Sequence, residues 1–530
     1  MNRRLPMVDR PHLWAFIAGC VAVTIGVLLH LPMYWMGRHN GFRLAEMPIE
    51  ADMLWGMVLI VGGLACAAFG LRPRPLADTH EAGHAVAISA PEDAPLGPAH
   101  RRLMAILSLA LVIDVMKPAS LGFVVPGMLD EYGVPARTVA WLPFAALCGT
   151  VLGSVVWGAL ADRYGRRASI LLSAVMFVGT SICGSMPSLW WNVGMCFLMG
   201  AAAGGMLPVT YALLAETMPS RQRGWALVLV GGLGAVGGYL AASGLSAWLQ
   251  PMFGWRAMWF LNLPTGLVLI LLNIHIPESP KFLAAMGRIA EAQAVLKRFG
   301  CVVLDAGVAP PPAPPAHEPA LPALRGYAGT TWALSVAATA WGLINFGLLL
   351  WLPAQLVERG IDVALGSRLL AASSLIALPT VAVAALLYGR LSSKGALLGT
   401  LALTAVGLVA VGLAVDDETT LVLAIAVLLV GVNGLIAMLL PYAAESYPVR
   451  VRGRATGWTA ACTKGGGLAA QGLSLLGLVP TLVVGSLVML VPVLAALVLV
   501  WRHGVETRGR DLRELESPVR ARERAASNLS

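Results

Sequence analysis

Ala215-Glu-Thr-Met-Pro-Ser-Arg-Gln-Arg-Gly224 and Ala444-Glu-Ser-Tyr-Pro-Val-Arg-Val-Arg-Gly453 are two versions of one phrase, 229 residues apart, and each closes a long apolar segment. Other pairs keep nearly the same offset. Pro126, Glu131 and Gly133 recur 227 residues later as Pro353, Glu358 and Gly360, and Glu278-Ser-Pro-Lys281 returns 228 residues later as Glu506-Thr-Arg-Gly509. Gly158-Ala-Leu-Ala-Asp162 returns in degraded form as Gly389-Arg-Leu-Ser-Ser393, at 231. Such a repeat, set among membrane-length apolar segments, predicts two similar halves in the same orientation, the architecture of alternating access, with a binding site where the halves meet.

Apolar residues make up 58% of the 530-residue chain and charged residues 12%, too little polar surface to cover a soluble protein, so its solvent is largely lipid. Runs of roughly 20 apolar residues, enough for a helix to cross about 30 Å of hydrocarbon, can be marked off fourteen times. Two lie near 13–33 and 53–71. Six follow near 103–127, 138–160, 168–186, 190–216, 225–249 and 256–276, and six more near 330–352, 366–388, 396–415, 420–442, 455–478 and 480–501. The repeat covers only the last twelve. The expected fold class is an all-α polytopic membrane protein, two six-helix bundles related by pseudo-two-fold symmetry plus two additional N-terminal transmembrane helices. The expected organisation is 1–100 for the extra pair and a cytoplasmic loop, 101–276 and 330–501 for the two bundles, 277–329 for a cytoplasmic Pro-rich linker, and 502–530 for a cytoplasmic tail.

Lys and Arg set the orientation, because their excess marks the cytoplasmic side. With the N-terminus inside, 29 of the 37 basic residues fall in inner loops and tails, 6 outside and 2 within spans. The net charge of +9 therefore reports topology and an inner face attractive to anionic lipid, and gives no support for nucleic-acid binding. The first apolar run is too long for a cleavable signal peptide and lacks a small-residue cleavage site. An integral protein of a bacterial cytoplasmic membrane with both termini cytoplasmic is expected. Six of the seven cysteines lie in apolar spans, with no close pairs to suggest metal or redox chemistry.

Ala309-Pro-Pro-Pro-Ala-Pro-Pro-Ala316 reads as a polyproline-like linker between the halves, after an amphipathic stretch from Phe282 to Phe299. The loop before the repeat contains His80-Glu81-Ala82-Gly83-His84, letter for letter a zinc metalloprotease pattern, in which two imidazoles one helical turn apart hold the metal beside a carboxylate. Five prolines within about 30 residues, and no third ligand at a recognisable spacing, favour a solvated loop. No cofactor, metal or enzymatic activity is expected.

Gly158-Ala-Leu-Ala-Asp162-Arg-Tyr-Gly165-Arg166-Arg167 resembles the signature of the major facilitator superfamily. Together with Pro277-Glu-Ser-Pro-Lys-Phe-Leu283, Gly287-Arg288, Glu291-Ala292, Glu506-Thr-Arg-Gly-Arg-Asp-Leu512 and the two Glu-to-Arg-Gly phrases, it is similar to the sugar-porter and metabolite:proton symporter branch, over residues 103–515. Ile113-Asp114-Val-Met-Lys117, followed by Leu121-Gly-Phe123 and Pro126, looks most like the aromatic-acid:proton symporters, which carry acids at the places of Asp114 and Lys117. Lys117 departs from that pattern, as does Cys196, where these families usually place an arginine. The resemblance implies that the cation has moved to Lys117, and the family's proton chemistry does not carry over unexamined.

Asp114 falls about eleven residues into its span, near mid-depth at 1.5 Å per residue, with Lys117 one turn on, and Lys464 is at similar depth in the run near 455–478. Only five lysines occur in the chain, and two of them are in the membrane. A charge at bilayer centre costs about 2.5 kcal/mol or more, so such residues normally face a wet cavity or a partner. One reading is a central cavity in which Lys117 and Lys464 attract a substrate carboxylate and Asp114 couples to protons. The other is an intrahelical Asp114–Lys117 pair with Lys464 on backbone carbonyls. Tyr211, Asn345, Asn433, Thr463 and Gln471 are polar at plausible depth for substrate hydrogen bonds, and Trp341 and Trp351 are candidate cavity walls. Asp162, Arg163, Arg166, Arg167, Glu216, Arg223, Glu445 and Arg452, with Arg221 and Arg450, are expected to form an inner gate of ion pairs.

The expected function is a secondary active transporter, a proton-coupled symporter of a small organic anion such as an aromatic or other carboxylic acid. The expected partners are that small molecule, H+ and the lipid bilayer. Efflux or neutral-solute transport is the alternative, a transporter-like receptor a third, and a membrane zinc metalloprotease using His80, Glu81 and His84 a remote one.

Overall fold

A computed structural model describes residues 10–45, 47–72, 94–286, 288–301, 327–358, 360, 362–413, 418–447 and 449–507. His80, Glu81 and His84, the polyproline run and most of the C-terminal tail lie outside the described residues. So do the side chains of Asp162, Arg221, Arg450 and Arg452.

The described residues form helices. The first pair is α1 (Arg10–Leu28) and α2 (Ala51–Gly70). The first repeat supplies α3 (Pro98–Tyr132), α4 (Trp141–Tyr164), α5 (Arg166–Gly179), α6 (Leu189–Ala203), α7 (Met206–Thr217), α8 (Ser220–Phe253) and α9 (Asn262–Asn273). Two short helices follow, α10 (Pro280–Ala285) and α11 (Ile289–Arg298), in the stretch expected to be amphipathic. The second repeat supplies α12 (Ala328–Leu343), α13 (Leu349–Glu358), α14 (Val363–Ala377), α15 (Thr380–Arg390), α16 (Ser393–Leu413), α17 (Glu418–Ser446), α18 (Val449–Leu475) and α19 (Leu482–His503).

Eleven helical segments among the described residues are long and apolar enough to cross a membrane, against fourteen runs marked off in the sequence. The difference has physical causes. The run near 190–216 breaks at Gly204-Gly205 into α6 and α7, and the run near 256–276 bends at Leu261, so neither forms one long apolar helix. Helix α18 is long enough, but the basic residues of its first two turns and Lys464 make it polar. Large apolar side chains such as Val155, Leu413 and Val491 point outward all around the bundle, as lipid-facing surface requires.

Within the first half, α3 lies against α8, and within the second α12 lies against α18. Both contacts depend on glycine: a Cβ at Gly238 would meet Val115 and the backbone of Met116, and one at Gly466 would strike the backbone of Thr339 and Leu343. Across the seam, α8 packs along α14, α15 and α17, α3 meets α13, and α4 meets α18. Helices α1 and α2 pair with each other and lean on α5.

The segment between α1 and α2 reaches over the end of the first half. There Glu131 and Arg256 form a buried ion pair at 2.6 Å, with side chains 3% and 0% exposed. Arg256 also donates to the carbonyls of Met186 and Gly184 and to the Tyr132 hydroxyl, and Trp255 donates to Glu131. The backbone N–H groups of Leu44 and Ala45 donate to Glu131 at 2.7 and 2.9 Å, so the loop completes the carboxylate's hydrogen bonding.

Candidate functional site

Helix α3 carries Asp114 and Lys117 near its middle, both buried, and α18 carries half-buried Lys464. Asp114 is within electrostatic reach of both lysines, so a carboxyl from the first half and an ammonium from the second share one site across the seam. No ion pair joins Asp114 to Lys117 among the described residues. The Lys117 ammonium turns to α5 instead, over the ring of Phe177 and 3.4 Å from its carbonyl oxygen. The fixed intrahelical pair is therefore not formed. Oδ1 of Asp114 is buried without a hydrogen-bond partner, a costly arrangement for a carboxylate unless nearby positive charge or a bound group offsets it. Cys183 is within electrostatic reach of Lys117 and of Cys196, so the substituted cation lies close to where the expected arginine is missing.

Lys464 stands 5.3 Å from the centre of the Phe346 ring. Phe346 belongs to a π-helical turn, Ile344–Leu348, that interrupts the ladder between α12 and α13. Its carbonyl accepts a hydrogen bond from the Gln471 amide, whose oxygen accepts from the Trp351 indole at 3.2 Å. Gln471 thus ties α13 and the π turn to α18 through both ends of its amide. Trp341 packs edge-on against Phe346 and donates to the Val432 carbonyl, and the Thr463 hydroxyl donates within its own helix to Ala460. Asn345, on the same π turn, is half-buried and makes no hydrogen bond among the described residues. Tyr211 keeps accessible surface deep in the bundle, its hydroxyl lying where a side chain at Gly231 would stand.

Three residues near this site carry no signal in the sequence. Tyr239 of α8 has a buried hydroxyl without a partner and packs against Phe123 on α3. Phe177 and Phe346 supply an aromatic face to each buried lysine. Pairings of this kind join distant positions, and nothing in local sequence announces them. Asn433, expected at the central cavity, instead lines a separate apolar pocket between α8, α15, α16 and α17.

At the end of the bundle that carries the basic loops, the repeat becomes chemistry. Glu278 accepts from the N–H groups of Arg166 and Arg167, at 2.7 and 3.3 Å, and so caps α5. Glu506 accepts from the N–H of Ser393, at 2.9 Å, and caps α16. Ser279 donates to Glu216, and its counterpart Thr507 donates to Glu445 at 2.8 Å. These roles match Ser393 with Arg166, an offset of 227, and correct the register of 231 that set Ser393 opposite Asp162. Arg166 also reaches Glu216 at 3.5 Å, Arg167 bonds Asn273, and Arg163 is exposed. Tyr388 donates to Glu445 at 2.7 Å, and Gly224 of the other half lies against both. Burial holds the Glu278 carboxyl above the ordinary carboxylate range, outweighing its backbone donors and Arg167.

Residues 107–471 match the sequence model of the Major Facilitator Superfamily. The chain belongs to the major facilitator superfamily. It is 28% identical over 392 residues to the niacin transporter NiaP of Acinetobacter baylyi, covering 72% of this chain and 88% of that one. It is also 34% identical over 203 residues to the 4-hydroxybenzoate transporter PcaK of the same organism, covering 37% and 43%. Among solved structures it resembles the proton:xylose symporter XylE bound to 6-bromo-6-deoxy-D-glucose, with a TM-score of 0.61 at 16% identity over 79% of this chain and 98% of that one, a likeness of fold. As a member of this superfamily the chain is a membrane transporter of small molecules, and no enzymatic role is assigned to it.

Proposed function

We propose that this transporter is a proton-coupled symporter of a small organic anion, an aromatic or other carboxylic acid. The observation that supports this reading is a buried Asp114 with one carboxylate oxygen left unpartnered, within electrostatic reach of Lys464 from the other half. Lys464, which keeps accessible surface, takes the substrate carboxylate, and Asp114 takes and releases the proton. Lys117 balances the carboxylate from beneath, held by Phe177, and Asn345, Tyr211 and Tyr239 offer hydrogen bonds to the ring substituents. Similarity to transporters named for niacin and 4-hydroxybenzoate supports an aromatic acid.

The charged end is the cytoplasmic gate in this reading, with both termini cytoplasmic in a bacterial inner membrane and bundles over 101–276 and 330–501. Glu216, Arg166, Arg167 and Arg223, with Asp162 and Arg163, bias the first half. Glu445 and Arg452 bias the second. Purified protein in liposomes, offered nicotinate, 4-hydroxybenzoate and other labelled carboxylates with and without an inward proton gradient, tests the proposal. Accumulation above equilibrium that collapses with a protonophore is expected. Flux indifferent to the gradient for every transported substrate overturns it.

A further inference from the structure

The pocket that holds Asn433 has a volume of about 570 Å³ and opens where Val383, Leu387 and Leu391 stand 53%, 41% and 66% exposed on the lipid-facing side of the bundle. That volume suits a drug-sized molecule. One wall is Val228, Gly232 and Val236 of α8, from the first half, and the rest comes from the second half. Its walls are almost wholly apolar, and the hydroxyl groups they contain are already used. Thr380 donates to the Ala377 carbonyl at 2.6 Å, Thr400 to the Leu397 carbonyl at 2.9 Å, and Ser392 to Glu506. Asn433 differs from them. It is 7% exposed, and its amide nitrogen is buried with no hydrogen-bond partner among the described residues. Few buried carboxamides are left unpaired, because each missing hydrogen bond costs free energy that a partner recovers.

We infer that this pocket binds an apolar molecule carrying a single hydrogen-bonding group, taken up from the bilayer, with that group on Asn433. The geometry orients the occupant. Ser392 and Gly395 mark the charged end of the pocket, while Asn433 lies halfway along α17, so the polar group goes in first and the apolar remainder extends back between α15 and α16 toward lipid. Because α8 forms one wall, an occupant bridges the two halves at a place the transported substrate does not use. The inference does not depend on which solute is carried or on how transport is driven.

Photolabelling of the full chain in liposomes by an octanol analogue with a mid-chain diazirine tests it. Labelling is expected to saturate, to map to residues 380–403 and 430–438, and to be competed by excess octanol. Asn433→Leu removes the hydrogen-bonding group at nearly constant volume, and labelling is expected to fall at least fivefold. Gly399 lines the pocket and a Cβ there meets nothing within 4 Å, so Gly399→Phe starts without a clash, and a ring turned into the pocket should abolish labelling. Asn433→Gln keeps the amide and should retain labelling within twofold. Melting temperatures identify folded variants, and if the leucine variant fails to fold, the phenylalanine variant decides. Labelling that rises without saturation, that persists undiminished in either folded blocking variant, or that maps around Asp114 and Lys464 overturns the proposal.

Discussion

Lys464 keeps accessible surface and Lys117 does not, and this difference separates the consequences of changing them. Lys464→Ala is expected to raise KM for carboxylate substrates at least tenfold, as the loss of a buried charge partner would (about 1.4 kcal/mol per tenfold), while Asp114→Asn should leave substrate exchange intact and abolish gradient-driven accumulation. Counterflow and gradient-driven uptake, measured side by side on the same liposomes, distinguish the two outcomes. A second contrast lies at the end of the bundle away from the basic loops. Glu131→Gln breaks an ion pair from which water is excluded and leaves Arg256 uncompensated, an expected loss of about 3–5 kcal/mol. Arg43 and Asp130 pair on the surface with side chains 51% and 70% exposed, so Arg43→Ala should cost less than about 1 kcal/mol. Thermal unfolding in detergent ranks them. Glu131 was visible in the sequence as half of a repeated pair, yet its partner was not, because Arg256 is 125 residues away and only the fold brings them together.

Helix ends at the charged face obey the same physics twice. Glu278 caps α5 chiefly through one oxygen, so Glu278→Gln can keep its acceptor whereas Glu278→Ala cannot; the alanine change should cost about 1–2 kcal/mol and the glutamine change less. Burial raises this carboxyl in the folded protein, so the native state holds the proton to higher pH than the unfolded chain, and this residue's contribution to stability falls as pH rises through that interval. Unfolding midpoints measured from pH 4.5 to 7 should show a slope that the glutamine variant flattens. The repeat that exposed these elements was legible because capping needs a carboxylate at a fixed place in each half. Its register around Ser393 was not, since one-letter similarity cannot tell which residue begins a helix. Broken spans were likewise hidden: hydropathy runs unchanged through Gly204-Gly205, although the helix does not.

Seen as a whole, the molecule is two helical halves with glycine-smoothed contacts and a seam that holds buried charge. The repeat and the mid-depth lysines could be read directly, because lipid permits few polar residues and each one stands out. The aromatic partners of those lysines and the lateral position of Asn433 depend on helix rotation, which periodicity in an almost uniformly apolar span does not fix. Gly224 touches Glu445 and Tyr388 across the seam, so Gly224→Leu should hold the charged end apart. Transport is expected to fall at least tenfold while substrate binding, followed by equilibrium dialysis, survives.

The loop that grips Glu131 belongs to a helix pair with no counterpart in the second repeat. A brace on one side alone makes the two halves mechanically unequal: the first is clamped at its Glu131 end by a segment from outside the repeat, and among the described residues the second has no such clamp.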